Sequence, residues 1–173
     1  MGSGKSHISK LFESDPGFRI IRLGEYLRKN ITLKDNSVQN LESAASGIKA
    51  KLSQGSLGEF FNKEIDQCFI DKKILLVDSI RTKEDINFFS KKSCYFKVVM
   101  ILSNQIIRYN RVVKRCRDFD PKDINEFQNH DQWEMEFGLK DIFPITNKFF
   151  INESDINYCY QNIRDYLREF VNE

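Results

Sequence analysis

The chain opens with Met-Gly-Ser-Gly-Lys-Ser, a stretch whose residue types suit the binding of phosphate groups. A phosphate-binding loop has the pattern Gly-x-x-x-x-Gly-Lys-Ser/Thr, and Gly4-Lys5-Ser6 matches its last three positions. In such a loop, backbone N–H groups surround the phosphates, the lysine neutralises their charge, and the serine hydroxyl binds Mg2+. The residues predicted to contact the phosphates are Gly2, Ser3, Gly4, Lys5, Ser6 and His7. A flexible polar terminus is the competing interpretation of so short a stretch.

An aspartate at the end of a predicted strand strengthens the interpretation of residues 1–6 as a phosphate-binding loop. The run KILLVD (73–78) is continuously apolar until Asp78, which is typical of a buried parallel strand. Ligands of open α/β sheets bind beyond the carboxyl ends of the strands. Asp78 is therefore predicted to hold Mg2+ opposite Ser6. An apolar strand can end in aspartate by chance, so this prediction depends on the combination with Gly4-Lys5-Ser6.

Several arginines are placed where phosphoryl-transfer chemistry needs cations. Arg108, Arg111 and Arg115 follow spacings of three and four residues, which predicts one face of a helix. A basic face in contact with solvent is the alternative interpretation. Arg28 and Arg81 come shortly after predicted strands, where substrate anions would be held.

The positions of these residues follow from an alternation of strands and helices. Strands are predicted at 18–23, 73–78, 95–103 and 147–152. Helical patterns are predicted at 5–13, from Glu25 onward, within 31–56, and at 57–70, 105–121, 123–140 and 155–172. The alternation indicates one α/β domain over residues 1–173, with helices on a mostly parallel sheet.

Composition limits the classes of partner. The sequence has 27 basic and 25 acidic residues, for a net charge of +2. This balance argues against nucleic acid or an anionic membrane as the main partner. Four scattered cysteines and the lack of a signal-peptide pattern predict a cytoplasmic protein with reduced thiols. Its expected partner is a small molecule, and it is expected to be a monomer or a homodimer.

Beyond these residues, segments in a fixed order resemble the P-loop kinases of the dephospho-CoA kinase and nucleoside monophosphate kinase group. The likeness is strongest to the archaeal-type dephospho-CoA-kinase-like branch. It covers nearly the whole chain, and 108–121 is its most specific part. The segments that carry it are GSGKS, LGEYLR (23–28), VDSIR (77–81), RYNRVVKRCRDFDP (108–121), EFQNHDQWEMEFGLKDI (126–142) and FFINES (149–154).

The resemblance implies a three-layer P-loop kinase fold that uses ATP and Mg2+. It implies that Lys5 and Ser6 bind phosphate and Mg2+, and that Arg28 and Arg81 clamp the phosphoryl acceptor. It places the acceptor-binding region at 30–57 and a helical lid at 108–140. The lid residues that it implies over the ATP are Arg111, Arg115 and Arg117, and Asn152 would lie in the loop beside the adenine.

The chain departs from the family pattern at three places. Glu25 stands where the family has an aspartate that would activate a hydroxyl acceptor, Ser79 replaces a glycine, and His130-Asp131 replaces Arg-Asp. The pattern's first glycine would fall two residues before Met1. We therefore expect the natural polypeptide to continue upstream with about eight apolar residues, the length of one short strand.

Two functions remain open on the sequence alone. The first is transfer of the ATP γ-phosphoryl group to a nucleoside monophosphate or to a dephospho-CoA-like hydroxyl. The second is a degenerate, inactive nucleotide-binding module, which is favoured by the incomplete loop, Ser79 and the loss of a cation at His130. The retained set of Lys5, Ser6 and Asp78 favours the kinase.

Overall fold

The structure is a computed structural model that describes residues 1–30, 55–117 and 120–172. The helical pattern predicted within 31–56 and most of the predicted acceptor-binding region 30–57 lie outside the described residues.

Within the described residues, four strands form two parallel pairs. β1 (Phe18–Arg22) pairs with β2 (Ile74–Asp78), and β3 (Val99–Leu102) pairs with β4 (Lys148–Ile151). Each strand lies inside a stretch that the sequence predicts as a strand, and the parallel direction is confirmed for both pairs. The registers place Arg22 opposite Asp78 and Leu102 opposite Ile151, so each pair ends evenly at its carboxyl edge.

Helices connect the strands and cover them. Among the described residues, the α-helices are α1 (Lys5–Leu11), α2 (Leu23–Asn30), α3 (Asn62–Ile70), α4 (Lys83–Ser90), α5 (Gln105–Arg115), α6 (Ile124–Glu134), α7 (Lys140–Ile142) and α8 (Ile156–Asn172). Shorter 3-10 turns lie at Phe12–Ser14, Leu57–Phe61 and Phe143–Ile145. No helix in the described ranges has the length and apolarity needed to cross a membrane.

The boundaries of α5 correct one prediction. The Asn104 side chain caps the helix by accepting a 2.9 Å hydrogen bond from the Ile106 N–H. The helix ends at Cys116, whose φ of 46° is left-handed, so the predicted continuation to 121 is wrong. The Asp120-Pro121 break therefore lies beyond the helix rather than at its end. Arg117 consequently lies outside the helix that carries Arg111.

The segment after α5 also departs from a regular helix. Asp123 caps α6 by accepting a 2.8 Å hydrogen bond from the Glu126 N–H. A π-helical segment (Met135–Leu139) follows, and it contains Gly138 with a φ of 146°. A Cβ at Gly138 would lie 2.5 Å from the Arg81 carbonyl oxygen, so this glycine allows the segment to approach the end of β2 closely.

Helix α4 is absent from the sequence prediction. Thr82 stands at its N-cap position with Glu84 and Asp85 in the first turn, which is a recognisable helix start. The buried Asp85 carboxylate accepts hydrogen bonds of 3.0 Å from the Leu57 N–H and 3.2 Å from the Ser56 hydroxyl. These contacts join α4 to the 3-10 turn that precedes α3.

The core lies on both faces of the strands. One face is covered by Ile8 of α1, Phe12 of the 3-10 turn that follows α1, and Ile163 of α8, which pack against Leu76 of β2 and Ile101 of β3. This cluster contains residues of both strand pairs, so the two pairs belong to one layer. On the other face, residues of α3, α4 and α7 cover alternate positions of the same strands. The arrangement is three layered, with strands between two sets of helices.

Candidate active site

Lys5 and Asp78 meet where β2 ends. The Lys5 Nζ atom lies 3.3 Å from Oδ1 of Asp78. Asp78 is only 3% exposed, and its Oδ2 accepts a 3.1 Å hydrogen bond from the buried Ser9 hydroxyl on α1. A buried carboxylate needs both a donor and a cation to offset its lost hydration. Ser9 and Lys5 supply these, and the predicted phosphate and metal residues therefore converge.

Ser79 follows Asp78 in a strained backbone conformation. Its φ is 74°, in the left-handed region that residues with a Cβ rarely adopt. The Ser79 hydroxyl lies 3.5 Å from Lys5 Nζ and 3.4 Å from Asp78 Oδ1. Strained backbone is concentrated at functional sites, which supports this point as the chemical centre.

Asn152 holds the loop that precedes Lys5. It is 1% exposed, and its Nδ2 donates a 2.8 Å hydrogen bond to the Ser3 carbonyl. A Cβ at Gly4 would collide with this amide, and Gly4 has a φ of 90°. Glycine is therefore required at Gly4 both for conformation and for space. The resemblance implies that the Asn152 loop lies beside adenine, and the structure adds a contact from its side chain to the phosphate loop.

Arg111 and Arg108 also contact backbone near this loop. Arg111 Nη1 donates a 2.9 Å hydrogen bond to the Asn152 carbonyl. Arg108 makes a two-point ion pair with Asp131, at 2.7 Å and 2.6 Å, and donates to the Met1 carbonyl at 3.1 Å. Their shared helical face is thus directed at the loop. Asp131 belongs to the His130-Asp131 pair of the sequence, so its carboxylate serves to hold Arg108.

Arg81 reaches the same region from the other strand pair. Its Nη2 lies 2.7 Å from Oε1 of Glu134, whose Oε2 lies 2.6 Å from the Met1 amino group. Burial alone raises the pKa of Glu134, but the Arg81 guanidinium and the Met1 ammonium outweigh it and lower the pKa to about 2. Glu134 therefore stays ionised and holds Arg81 in place, while the Arg81 side chain remains 40% exposed.

His130 and Trp133 lie beside this carboxylate. Their rings make an edge contact at 5.6 Å between centroids, and burial lowers the pKa of His130. Lowering the pKa of a histidine favours the neutral ring at pH 7. The resembled family has an arginine at this position, and a neutral His130 does not replace its positive charge.

Arg115 and Arg117 are both exposed. Arg115 pairs with Asp120 at 2.5 Å. Burial raises the pKa of Asp120, but the Arg115 guanidinium and the Arg117 N–H lower it by more, so the pKa lies below its ordinary value. Arg115 is therefore held at the end of α5 by a carboxylate that follows it in the chain.

Glu25 lies to the side of the Lys5–Asp78 pair. Its Oε1 is 3.9 Å from the Arg22 Nε, and that Nε is 3.4 Å from the Ser9 hydroxyl, which contacts Asp78. Glu25 thus reaches the centre through Arg22 and Ser9. Arg28 lies in α2, and its side chain is outside the described part of the structure.

One cavity of about 1460 Å3 gathers nearly all the predicted residues. Glu25 is the predicted residue with a described side chain that does not line it. The predicted residues in its lining are Gly2, Ser3, Gly4, Lys5, Ser6, His7, Asp78, Arg81, Arg111, Arg115, Arg117 and Asn152.

A bound Mg2+ would have two protein ligands here. Within the described ranges, no group of three or more His, Cys, Asp or Glu side chains is placed to hold a metal ion. Mg2+ commonly takes one or two protein oxygens and completes its shell with phosphates and water. Ser6 and Asp78 match that requirement, because both line the cavity and Ser6 lies in the first turn of α1.

Three residues of this site were absent from the sequence prediction. Ser9 contacts Asp78, Glu134 holds Arg81, and Arg22 connects Ser9 to Glu25. Glu134 lies in the segment 126–142 that carries the resemblance, so it is the one of these three residues that had a signal in the sequence. Ser9 and Arg22 carry no signal in the sequence, because their contacts depend on how α1 packs over β1 and β2.

Relatives by sequence match nearly the whole chain. It is 24% identical over 172 residues to a UPF0200 protein of Methanothermobacter thermautotrophicus, covering 98% of this chain and 86% of that protein. It is 24% identical over 166 residues to a UPF0200 protein of Pyrococcus furiosus, covering 94% and 89%. A UPF0200 protein of Saccharolobus islandicus is 25% identical over 157 residues, covering 89% and 81%. No protein-family model matches the sequence.

The structure is similar to that of shikimate kinase from Bacteroides thetaiotaomicron. The TM-score is 0.58 at 14% sequence identity, and the match covers 97% of this chain and 94% of that one. At this identity the likeness concerns the fold alone. The predicted fold class is confirmed: the chain has a three-layer α/β fold of the P-loop kinase type.

Proposed function

We propose that this protein binds ATP with Mg2+ and transfers the γ-phosphoryl group to a small nucleotide-like acceptor. The observation that carries the proposal is the convergence of Lys5, Asp78 and Ser79 at the end of β2, on a P-loop kinase fold. Phosphoryl transfer depends chiefly on positioning and charge neutralisation. Lys5, Asp78 and Ser79 lie close enough together to neutralise and position one phosphoryl group.

At the phosphate end, Lys5 is the group that neutralises charge. Its side chain is 42% exposed, so it can leave Asp78 and follow the transferred phosphoryl group. Ser6 and Asp78 would hold Mg2+, which stabilises the negative charge that develops on the phosphate oxygens. Ser79 places a hydroxyl donor beside Lys5, where it would hydrogen-bond a phosphate oxygen.

At the nucleotide end, Asn152 and Arg111 keep the loop in shape. The Asn152 amide fixes the Ser3 carbonyl, and Arg111 fixes the Asn152 carbonyl. A loop held this way needs less reorganisation when phosphate binds. Arg115 and Arg117 would close over the nucleotide, as the resemblance implies.

The acceptor would bind between Arg28 and Arg81. Arg81 is positioned by Glu134 and keeps part of its guanidinium exposed to an incoming anion. A phosphate acceptor needs no general base, whereas a hydroxyl acceptor does. Glu25 would supply that base after a side-chain rotation. Loss of turnover in Glu25→Gln with retained ADP binding therefore supports a hydroxyl acceptor of the dephospho-CoA type.

A binding module without catalysis is the second candidate. The observation that favours it is that Arg81, Arg108 and Arg115 each make an ion pair with a carboxylate. These guanidinium groups bind carboxylates of the protein itself, whereas a kinase needs arginines that bind the phosphates of its substrates. This candidate predicts ATP binding without turnover.

A single experiment separates the two. ADP release is followed with Mg2+ and ATP over a panel of nucleoside monophosphates and dephospho-CoA, with Lys5→Met as the inactive control. ATP binding is measured on the same samples by calorimetry. Turnover with one acceptor supports the kinase, binding without turnover supports the module, and lack of ATP binding contradicts both.

A further inference from the structure

The hydroxyl of Ser9 lies between the two residues expected to hold Mg2+. Ser9 is buried in α1, and its Oγ atom is 3.1 Å from Oδ2 of Asp78 and 3.1 Å from the Ser6 carbonyl oxygen. Ser6 lies in the first turn of α1, whereas Asp78 lies at the carboxyl end of β2. One buried hydroxyl therefore joins the backbone of one expected ligand to the side chain of the other.

Arg22 makes the Ser9 hydroxyl a better donor to these acceptors. The Nε atom of Arg22 lies 3.4 Å from Ser9 Oγ and donates to it. An oxygen that accepts a hydrogen bond from a cation is polarised, and its own O–H bond donates more strongly. A hydroxyl has a single proton to donate. Because the Asp78 carboxylate is charged and the Ser6 carbonyl is not, the carboxylate is the preferred acceptor.

The orientation of the Asp78 carboxylate depends on its hydrogen-bond partners. The terminal torsion of an aspartate side chain has broad, roughly two-fold preferences, so the side chain alone does not fix the plane of the carboxylate. The two oxygens of Asp78 have different partners. Oδ2 accepts from Ser9, whereas Oδ1 lies 3.3 Å from Lys5 Nζ and 3.4 Å from the Ser79 hydroxyl. By holding Oδ2, Ser9 leaves Oδ1 directed toward Lys5.

Of these partners, Ser9 is the one expected to stay in place when a nucleotide binds. The Lys5 side chain is 42% exposed and is expected to move onto the phosphates. Ser79 is expected to hydrogen-bond a phosphate oxygen. Ser9 and Asp78 are both buried, so their hydrogen bond does not compete with water, and breaking it would leave the carboxylate without this donor.

We infer that Ser9 is a positioning residue for Mg2+. It fixes the Asp78 carboxylate relative to the first turn of α1, so that the oxygens of Ser6 and Asp78 are held ready for one metal ion. This role rests on the proposed function, which assigns Mg2+ to Ser6 and Asp78. Partners that orient a metal ligand raise metal affinity because less reorganisation is needed when the metal binds. Ser9 acts through Asp78, so it affects nucleotide binding with Mg2+ and not nucleotide binding without it.

Ser14 provides a matched control. Serines in helices commonly donate to the carbonyl three or four residues earlier and have no further role. Ser14 does this, with a 2.9 Å hydrogen bond to the Leu11 carbonyl, and it is exposed. Ser9 has the same kind of backbone contact but also reaches a carboxylate. A comparison of Ser9→Ala with Ser14→Ala therefore separates the contact with Asp78 from the contact with the helix backbone.

The test measures how strongly Mg2+ improves nucleotide binding to the full chain. Calorimetry gives the Kd of the non-hydrolysable ATP analogue AMP-PNP in Mg2+ and in EDTA, and the ratio of the two Kd values is the Mg2+ enhancement. Wild type is compared with Ser9→Ala, Ser14→Ala, Asp78→Asn and the double variant Ser9→Ala/Asp78→Asn. The free energy of unfolding without nucleotide is measured for each form, because a merely structural role would change that quantity alone.

We expect Ser9→Ala to lower the Mg2+ enhancement by about tenfold, the effect of losing one hydrogen bond to a charged group. The Kd in EDTA should not change, and Ser14→Ala should keep the wild-type enhancement. In the Asp78→Asn background, Ser9→Ala should have no further effect on the enhancement, because the two residues act as one unit. Equal enhancement in wild type and Ser9→Ala overturns the inference, as does a loss of the same size in EDTA.

Two further outcomes separate this role from the proposed function. If wild type does not bind AMP-PNP, the proposed function and the role of Ser9 are both overturned. If Mg2+ strengthens binding equally in wild type and Ser9→Ala, only the role of Ser9 is overturned. A crystal structure of wild type with Mg2+ and AMP-PNP gives an answer that does not depend on the folding of any variant. Ser9 Oγ should remain within hydrogen-bond distance of Asp78, and a Ser9 side chain turned away from Asp78 overturns the inference.

Discussion

The two strand pairs end in polar groups of the same kind but use them differently. At the end of β2, Lys5, Asp78 and Ser79 contact one another's side chains. At the end of β4, the Asn152 amide contacts the Ser3 backbone, and the Arg111 guanidinium contacts the Asn152 backbone. The pair of β1 and β2 ends in side chains that contact one another, and the pair of β3 and β4 ends in side chains that hydrogen-bond backbone carbonyls.

The difference teaches how the phosphate loop is supported. The phosphate loop needs groups that fix its backbone and groups that can move to contact a ligand. Side chains that face each other can rearrange when a ligand enters, as the exposed Lys5 can. Side chains that donate to backbone carbonyls cannot move away without leaving those carbonyls unpaired. The first pair is therefore the expected place of chemistry and the second the expected place of positioning.

The largest effect is expected from Lys5→Met. Loss of the cation should lower ATP turnover by about 100- to 1000-fold, because charge neutralisation on the phosphates is lost. The melting temperature should also fall, because the buried Asp78 carboxylate loses the cation that offsets its lost hydration. Lys10→Met, on the exposed face of the same helix, is the matched control. Equal turnover in both variants would contradict the comparison.

Glu134→Gln tests the residue that connects the two sides. The pKa of Glu134 is about 2 in the fold against an ordinary 4.5. A lowered pKa stabilises the fold above 4.5, and this stabilisation is lost as the pH falls from 4.5 to 2. Loss of the charge should thus cost up to about 3 kcal/mol at pH 7.

The measurement is the free energy of unfolding of wild type and Glu134→Gln at several pH values. Their difference should be largest near pH 7 and vanish near pH 2. Glu136→Gln, an exposed neighbour, should show no such dependence. A difference that does not change with pH would show that Arg81 is not held by the charge.

Asn152→Ala should act on the loop rather than on the chemistry. Removal of the amide leaves the Ser3 carbonyl without its donor, which should cost about 1–3 kcal/mol of unfolding free energy. ATP affinity should fall with the loss of loop shape, while the chemical step on bound ATP changes little. Single-turnover kinetics and chemical denaturation measure the two effects. Asn162→Ala, exposed on α8, is the control, and a variant that loses only the chemical step would break the comparison.

The smallest effects concern Ser79. Ser79→Gly should raise stability by up to about 1 kcal/mol, because glycine adopts a positive φ without strain. Ser79→Ala keeps the strain and removes the hydroxyl, so it should not raise stability. If the hydroxyl assists Lys5, both variants should lower turnover by less than about tenfold. Melting curves and turnover together check this, and unchanged turnover in both would remove Ser79 from the site.

Local sequence carried most of the secondary structure. Apolar runs predicted the four strands seen in the described part of the chain, because a buried parallel strand must be apolar at consecutive positions. The caps that start α5 and α6 are short-range signals of the same kind. The end of α5 was misplaced, because the left-handed turn at Cys116 occurs without glycine or proline. The missed α4 shows that a capped start is easily overlooked when its helix is short.

The sequence by itself determined the residue types of the site and their order along the chain: Lys5 and Ser6 after glycines, Asp78 at a strand end, and arginines at helical spacing. Only the tertiary structure decided which of them meet. Ser9 reaches Asp78, Glu134 reaches Arg81, and Asn152 reaches Ser3 across separations of 53 to 149 residues in the chain. Such contacts depend on how helices pack across strands, and local spacing carries no record of that packing.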